Sequence, residues 1–239
     1  MKRAVVTGGG TGIGQAIAHA FDDAGYAVTI AGRRPAPLDA AAKGRNIMAR
    51  ICDVTDEASV EALFDQSYDI VIANAGAGTP STVADMPLDL WSSTLAVNLT
   101  GTFLTFRAAL GSMTGGGRLI AIASTASLQG GKNIAAYSAA KHGVLGLVRS
   151  LAKEIAKDGL TCNAICPGFV DTDMAEAAIT GIMKRFEVDR ERAEKMVVSG
   201  NPMGRLINPA EVADAALWLA SPGASSVNGH ALSVSGGEI

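Results

Sequence analysis

Short runs of β-branched and small apolar residues alternate with longer Ala-rich segments along most of the chain, and this rhythm predicts its elements. Runs at Arg3 to Thr7, Ala27 to Gly32, Ile47 to Cys52, Asp69 to Ala73, Arg118 to Ser124, Leu160 to Cys166 and Ala231 to Val234 read as strands. Helical spacing covers Gly12 to Ala24, Glu57 to Gln66, Leu88 to Leu110, Ala136 to Lys157 and Pro209 to Ala220. Strands that are apolar on both faces, each followed by a helix, predict a parallel sheet covered on both sides, an α/β doubly wound fold. No linker or compositional break interrupts it, so residues 1–239 are expected to form one domain. Strand signals stop between Asp173 and Asn208, where two short helical patterns carry Met174, Met183, Met196 and Met203. A helical pair placed after a strand's carboxyl end is expected to be a substrate lid at 173–208, with a surface hairpin of its own small core as the alternative.

Composition narrows the classes of function. With 48% apolar and 18% charged residues the chain is neither disordered nor a solvated coiled coil, and 28 glycines beside 5% aromatics suggest close backbone approaches in an aliphatic core. A net charge of −3 with no Lys/Arg block offers no electrostatic grip on nucleic acid. No apolar stretch approaches the roughly 20 residues of a membrane span, and strand-like residues almost at Met1 argue against a signal peptide. A cytoplasmic protein without nucleic-acid or membrane partners is expected. Cys52, Cys162 and Cys166 match no zinc spacing and read as reduced thiols. Cys162 and Cys166, at even spacing, should face one side of their strand as core filling. His19, His142 and His230 are isolated, so no metal site is expected.

Two constellations carry chemistry. Thr7-Gly8-Gly9-Gly10-Thr11-Gly12-Ile13-Gly14 joins the first strand to a helix, where glycines permit sharp turns and the helix amino terminus offers unpaired amides and a positive dipole end to phosphate. At the end of the second strand, where an acid would bind the ribose 2′-hydroxyl of NAD, stand Arg33 and Arg34, suited to a 2′-phosphate. NADP is therefore favoured over NAD, with adenine stacking or a solvated loop as the alternative role of the pair. Tyr137 and Lys141 lie one helical turn apart, and the ammonium is expected to draw the phenol's pKa down. Ser124, 13 residues before Tyr137, ends a strand where its hydroxyl can face the crevice.

These residues, in this order, resemble the short-chain dehydrogenase/reductase family over nearly the whole chain. The resemblance rests on Gly8, Gly12 and Gly14, on Cys52-Asp53-Val54, on Asn74-Ala75-Gly76, on Asn98, Ser124, Tyr137 and Lys141, and on Pro167-Gly168. It implies a Rossmann-fold oxidoreductase interconverting a secondary alcohol and a ketone with NAD(P). Tyr137 would be the general acid/base, Ser124 would orient the carbonyl, and Lys141 would bind the nicotinamide ribose. Asn98 would hold a water of a proton relay. Gly8, Thr11, Gly12, Ile13 and Gly14 would cradle phosphate. Asp53, beside Val54, would bond adenine, with a helix-capping or turn carboxylate as its alternative. Asn74, Ala75 and Gly76 would lie under adenosine, and Pro167, Gly168, Val170 and Thr172 would hold the carboxamide, Thr172 being equally a possible helix cap. The ending and the Met-bearing lid resemble 3-oxoacyl reductases and 3-hydroxyacyl-CoA dehydrogenases, so a 3-oxoacyl or 3-hydroxyacyl thioester is the expected substrate. Cyclic or simple alcohols and polyols are the alternative, as is a dinucleotide sensor or scaffold without turnover. Family habit and the long Ala-rich helices suggest a homotetramer.

Overall fold

Consecutive strand residues serve opposite faces of one sheet. In the computed structural model, which describes residues 1–239, Val5 joins one apolar cluster while Ala4 and Val6 join the other. Val71 and Ala73 likewise oppose Ile70 and Ile72, and Leu119 and Ala121 oppose Ile120 and Ile122. A strand with core on both sides has no use for polar alternation, which is why these runs are apolar throughout.

The elements follow in the order β1 (Arg3–Thr7), α1 (Gly12–Asp23), β2 (Ala27–Gly32), α2 (Pro35–Ala42), β3 (Ile47–Ile51), α3 (Glu57–Leu63) and β4 (Ile70–Ala73). Next come α4 (Leu88–Leu95), α5 (Gly101–Leu110), β5 (Arg118–Ile122), α6 (Ala135–Glu154) and β6 (Thr161–Pro167). The chain ends with α7 (Asp173–Phe186), α8 (Arg190–Val197), α9 (Pro209–Ala220) and β7 (Ala231–Val234). All seven strands are parallel, ordered β3-β2-β1-β4-β5-β6-β7, so the predicted α/β doubly wound architecture is present. Val60, Phe106, Val144 and Val148 cover one face of the sheet from α3, α5 and α6. Ile17, Phe21, Leu38 and Leu219 cover the other from α1, α2 and α9.

Three departures from the sequence reading have local causes. The pattern gave no helix at α2, whose prolines stand at its start, where a missing N–H costs nothing. The helix expected over Leu88 to Leu110 is split by a π turn at Ala96–Thr100, one extra residue in the ladder that hydrophobic spacing does not reveal. Ser124 lies beyond β5, which ends at Ile122, and caps a single 3₁₀ turn, Thr125–Ser127. Cys162 and Cys166 do fill the core on one side of β6, as their spacing predicted. Burial pushes the Cys162 thiol up and the Cys166 thiol up to about 11. No helix is long and apolar enough to cross a membrane.

Between β6 and α9, Ile179 of α7 packs with Ala193 and Val197 of α8 and with Val198, a small core separate from the two sheet faces. Glu176 and Arg190 clamp the pair together through two hydrogen bonds of 2.6 and 2.7 Å.

Candidate active site

The strand order reverses direction between β1 and β4, and the crevice of such a sheet opens at that switch point, beyond the carboxyl ends of the strands. Asn74 closes its floor. Its side chain donates to the carbonyls of Thr7 (2.9 Å) and Gly8 (3.2 Å), while the Thr7 hydroxyl accepts from the amides of Asn74 (3.1 Å) and Ala75 (3.2 Å). The glycine turn is pinned against these groups. A Cβ at Gly14 would come within 2.3 Å of the Gly8 carbonyl oxygen and 2.4 Å of Asn74 Nδ2, so any side chain there would have to displace both. Gly8 and Gly12 have φ of +66° and +54°, a region that costs other residues strain.

Thr11 stands at the N-cap of α1 but makes no capping bond with its side chain, which leaves first-turn amides available to an external acceptor. Gly8, Thr11, Gly12, Ile13 and Gly14 line one part of the crevice together with Asn74, Ala75, Gly76, Tyr137, Lys141 and Thr172. The adjoining part is lined by Gly32, Arg33, Arg34, Asp53, Val54, Ala75 and Gly76. Arg33 and Arg34 are exposed and take part in none of the ion pairs that occupy other arginines. Asp53 caps no helix, since Asp56 fills that role for α3. It braces its own turn, accepting from the amide (2.9 Å) and hydroxyl (2.8 Å) of Thr55, which with the charge of Arg33 hold its carboxyl below the ordinary range. Thr172 is the N-cap of α7 by position only; its hydroxyl donates to the carbonyl of Val170. The spacing between glycines, the unpaired amides and the two free guanidiniums fit a phosphate-rich dinucleotide.

The catalytic candidates converge at the far end of this crevice. Lys141 is buried, and its ammonium donates to the carbonyl of Ile122 at 2.8 Å. Tyr137 packs its ring against Gly78, where a Cβ would lie 3.0 Å from Cδ2. The ammonium stands 5.5 Å from that ring's centroid. The expectation that Lys141 lowers the phenol's pKa is overturned: burial raises it, and only the Ser124 hydroxyl pulls the other way. Lys141 pays out its hydrogen bond to a backbone carbonyl rather than to the phenol, so desolvation dominates. The same burial brings Lys141 itself down to about 8. Ser124 Oγ accepts from the amide of Ala126 at 3.1 Å, which leaves its proton to be donated elsewhere.

Asn98 sits in the π turn and is fully buried. Its amide donates to Ala77 (2.7 Å) and Thr94 (2.9 Å), while Oδ1 has no partner. A Cβ on Gly76 would lie 2.7 Å from that oxygen and 3.5 Å from Lys141 Nζ, so Gly76 keeps open the space between the two. The sequence reading placed these residues together but missed Gly78, Ala77 and Ile122, whose parts are a bare backbone face and two carbonyls. Only the second glycine of Asn74-Ala75-Gly76-Ala77-Gly78 was a visible signal.

Known proteins are similar to this chain over nearly its whole length. A family model described as Enoyl-(Acyl carrier protein) reductase matches residues 8–238. A putative ketoacyl reductase of Streptomyces coelicolor is 37% identical, the alignment covering 98% of this chain and 95% of that protein. The 3-oxoacyl-[acyl-carrier-protein] reductase of Vibrio harveyi is 34% identical over 99% of this chain and 96% of its own length. A crystal structure of an actinorhodin polyketide ketoreductase variant with NADPH superposes with a TM-score of 0.93 at 34% identity, covering 99% of this chain and 97% of that one.

Proposed function

Because the chain belongs to the short-chain dehydrogenase/reductase family, we propose that it reduces the ketone of a 3-oxoacyl thioester with NADPH. The observation that carries this reading is that Tyr137 and Lys141 line a crevice whose adjoining part fits a dinucleotide, with Ser124 beside the Tyr137 phenol and the unpaired Asn98 oxygen next to Gly76. The names of the relatives, ketoacyl and 3-oxoacyl reductases, support the thioester class. Met174 lines the crevice beside Tyr137 and Lys141, an adaptable apolar contact for an acyl chain.

Bound NADPH supplies the hydride for the ketone carbon. The protein supplies the rest. Ser124, with its lone pair engaged by Ala126, donates its hydroxyl proton to the ketone oxygen and fixes its direction. Tyr137, a phenol that is protonated at neutral pH and whose pKa burial raises further, delivers a proton to that oxygen as negative charge develops. The Lys141 ammonium would bind the nicotinamide ribose, and the unpartnered Asn98 Oδ1 is an acceptor for a water that returns a proton toward Tyr137. Asp53 would bond the adenine, the Asn74-Ala75-Gly76 turn would lie under the adenosine, and Pro167, Gly168, Val170 and Thr172 would hold the nicotinamide carboxamide. The helical pair at 173–208 is the substrate lid.

Arg33 and Arg34 favour NADPH over NADH through the 2′-phosphate. Removing both as Arg33→Ala/Arg34→Ala should lower kcat/KM for NADPH roughly 10–100-fold, a loss on the scale of one or two charge-assisted hydrogen bonds. The value for NADH should change by no more than about threefold. Steady-state kinetics on a panel of acyl thioesters, cyclic ketones and sugars with both cofactors tests cofactor and substrate class together. A parent enzyme that prefers NADH, or that turns over only sugars, would overturn the respective half of the reading.

Leu88, Trp91 and Phe103 expose apolar surface on α4 and α5. This supports a homotetramer that covers those helices, and light scattering at the mass of one chain would contradict it.

A further inference from the structure

The last turn of the sequence reaches back to the Pro167-Gly168 turn and to the stretch that follows Ser124. Gly236 and Gly237 have φ of +65° and +92°, and the turn they make lies against the segment that leaves the helical pair. A Cβ on Gly236 would fall 2.1 Å from Asn201 Oδ1, and one on Gly237 would be 3.4 Å from Pro202. Asn201 is itself fixed, donating to the carbonyl of Arg205 at 2.7 Å and accepting from the amide of Met203 at 2.9 Å. The turn delivers Glu238, partly buried, to a point where three segments meet.

One carboxylate oxygen of Glu238 accepts from Gln129 Nε2 at 2.9 Å, across 109 residues of sequence. Gln129 belongs to the stretch that follows Ser124, and its amide is bonded to the carbonyl of Thr125. The other oxygen faces Gly168, where a Cβ would come within 3.0 Å. The side-chain stem lies over Gly200, with a Cβ there 3.5 Å from Cγ. Gly168 thus leaves room for this one acidic side chain, and Gln129 supplies its donor.

We propose that Glu238 is a positioning residue that ties the segment bearing Ser124 to the Pro167-Gly168 turn and to the exit of the helical pair, and so sets the substrate-side wall of the site. The proposal rests on the assignment of Ser124 to substrate binding given above. Its energetic basis is a hydrogen bond to a charged group, whose loss corresponds to a change of about tenfold or more.

Glu238→Ala should raise KM for the ketone about tenfold while kcat stays within about twofold and KM for NADPH is unchanged. Gln129→Ala should do the same, and the double variant should be no worse than either alone, because one interaction has been removed twice. Glu238→Gln, which keeps an acceptor for Gln129 but loses the charge, should fall between the parent and Glu238→Ala, with KM raised only about threefold over the parent. Hydrogen exchange provides a readout independent of turnover: Glu238→Ala should speed exchange about tenfold at residues 125–131 and 199–202 and leave β1 and α1 unchanged. Unaltered exchange at 125–131, or single effects that multiply in the double variant, would overturn the proposal. A parent enzyme inactive on every ketone with exchange still altered would instead count against the assigned reaction and leave the tie in place.

Discussion

Tyr137→Phe is expected to lower kcat about 10²–10⁴-fold, the range that a positioned general acid contributes, while the dissociation constant for NADPH stays within about twofold. The substitution removes one oxygen and nothing else of the packing. The ring still rests on Gly78, and Lys141 still donates to Ile122 rather than to the phenol. What is lost is the phenol proton, on a group whose pKa burial keeps above the ordinary value. An acid that remains protonated across neutral pH suits ketone reduction, where the developing alkoxide needs a proton. Single-turnover kinetics with measured cofactor binding checks this outcome. A variant with near-normal kcat would remove Tyr137 from the mechanism.

Lys141→Met should separate function from stability. Turnover should fall about 10²-fold or more, since the ammonium that would bind the nicotinamide ribose and carry the proton relay from Asn98 toward Tyr137 is gone. Yet the folded protein should become more stable at neutral pH. Lys141 is 4% exposed, has one hydrogen-bond acceptor, and carries a pKa lowered by burial to about 8. Below pH 8 the lysine is charged in both folded and unfolded states, so the folded protein bears the full cost of burying it. As pH rises from about 8 toward the ordinary lysine value, the folded state releases the proton first and stability increases; above that value the gain is complete. A shift of this size corresponds to about 3 kcal/mol, partly offset by the Ile122 carbonyl left without its donor, at about 1 kcal/mol. The net gain of about 2 kcal/mol predicts a rise in Tm of roughly 4–8 °C at pH 7. The difference between parent and variant should shrink as pH rises above 8. A variant less stable than the parent at pH 7 would contradict this account.

The sequence made the sheet legible because a parallel strand buried on both faces writes its position as an unbroken apolar run. Val5 between Ala4 and Val6 shows why: each neighbour serves a different core. The glycine cradle was legible for a related reason, since only glycine fits where Gly14 meets the Gly8 carbonyl. Features carried by the backbone were not. The π turn at Ala96–Thr100 shifts the helix by one residue without changing its composition, and the polar Asn98 in an apolar face was its one trace. The acceptors of Lys141 and Asn98 are the carbonyls of Ile122 and Ala77, which any residue would provide. The sign of the Tyr137 shift depended on where the Lys141 ammonium points, and helical spacing fixes the separation of two side chains but not the direction of a terminal amine. Glu238 lies 109 residues from Gln129, so no local pattern could join them.

The central claim is that this crevice transfers hydride from NADPH to a 3-oxoacyl thioester with Tyr137 as the acid. The most direct measurement follows the loss of reduced nicotinamide absorbance with acetoacetyl-CoA, for the parent and for Tyr137→Phe at equal cofactor saturation. The account predicts thioester-dependent oxidation of NADPH by the parent, a 3-hydroxyacyl product in equal amount, and a rate reduced about 10²-fold or more in the variant. No thioester-dependent oxidation by a parent protein that binds NADPH, or equal rates for the two proteins, would contradict it.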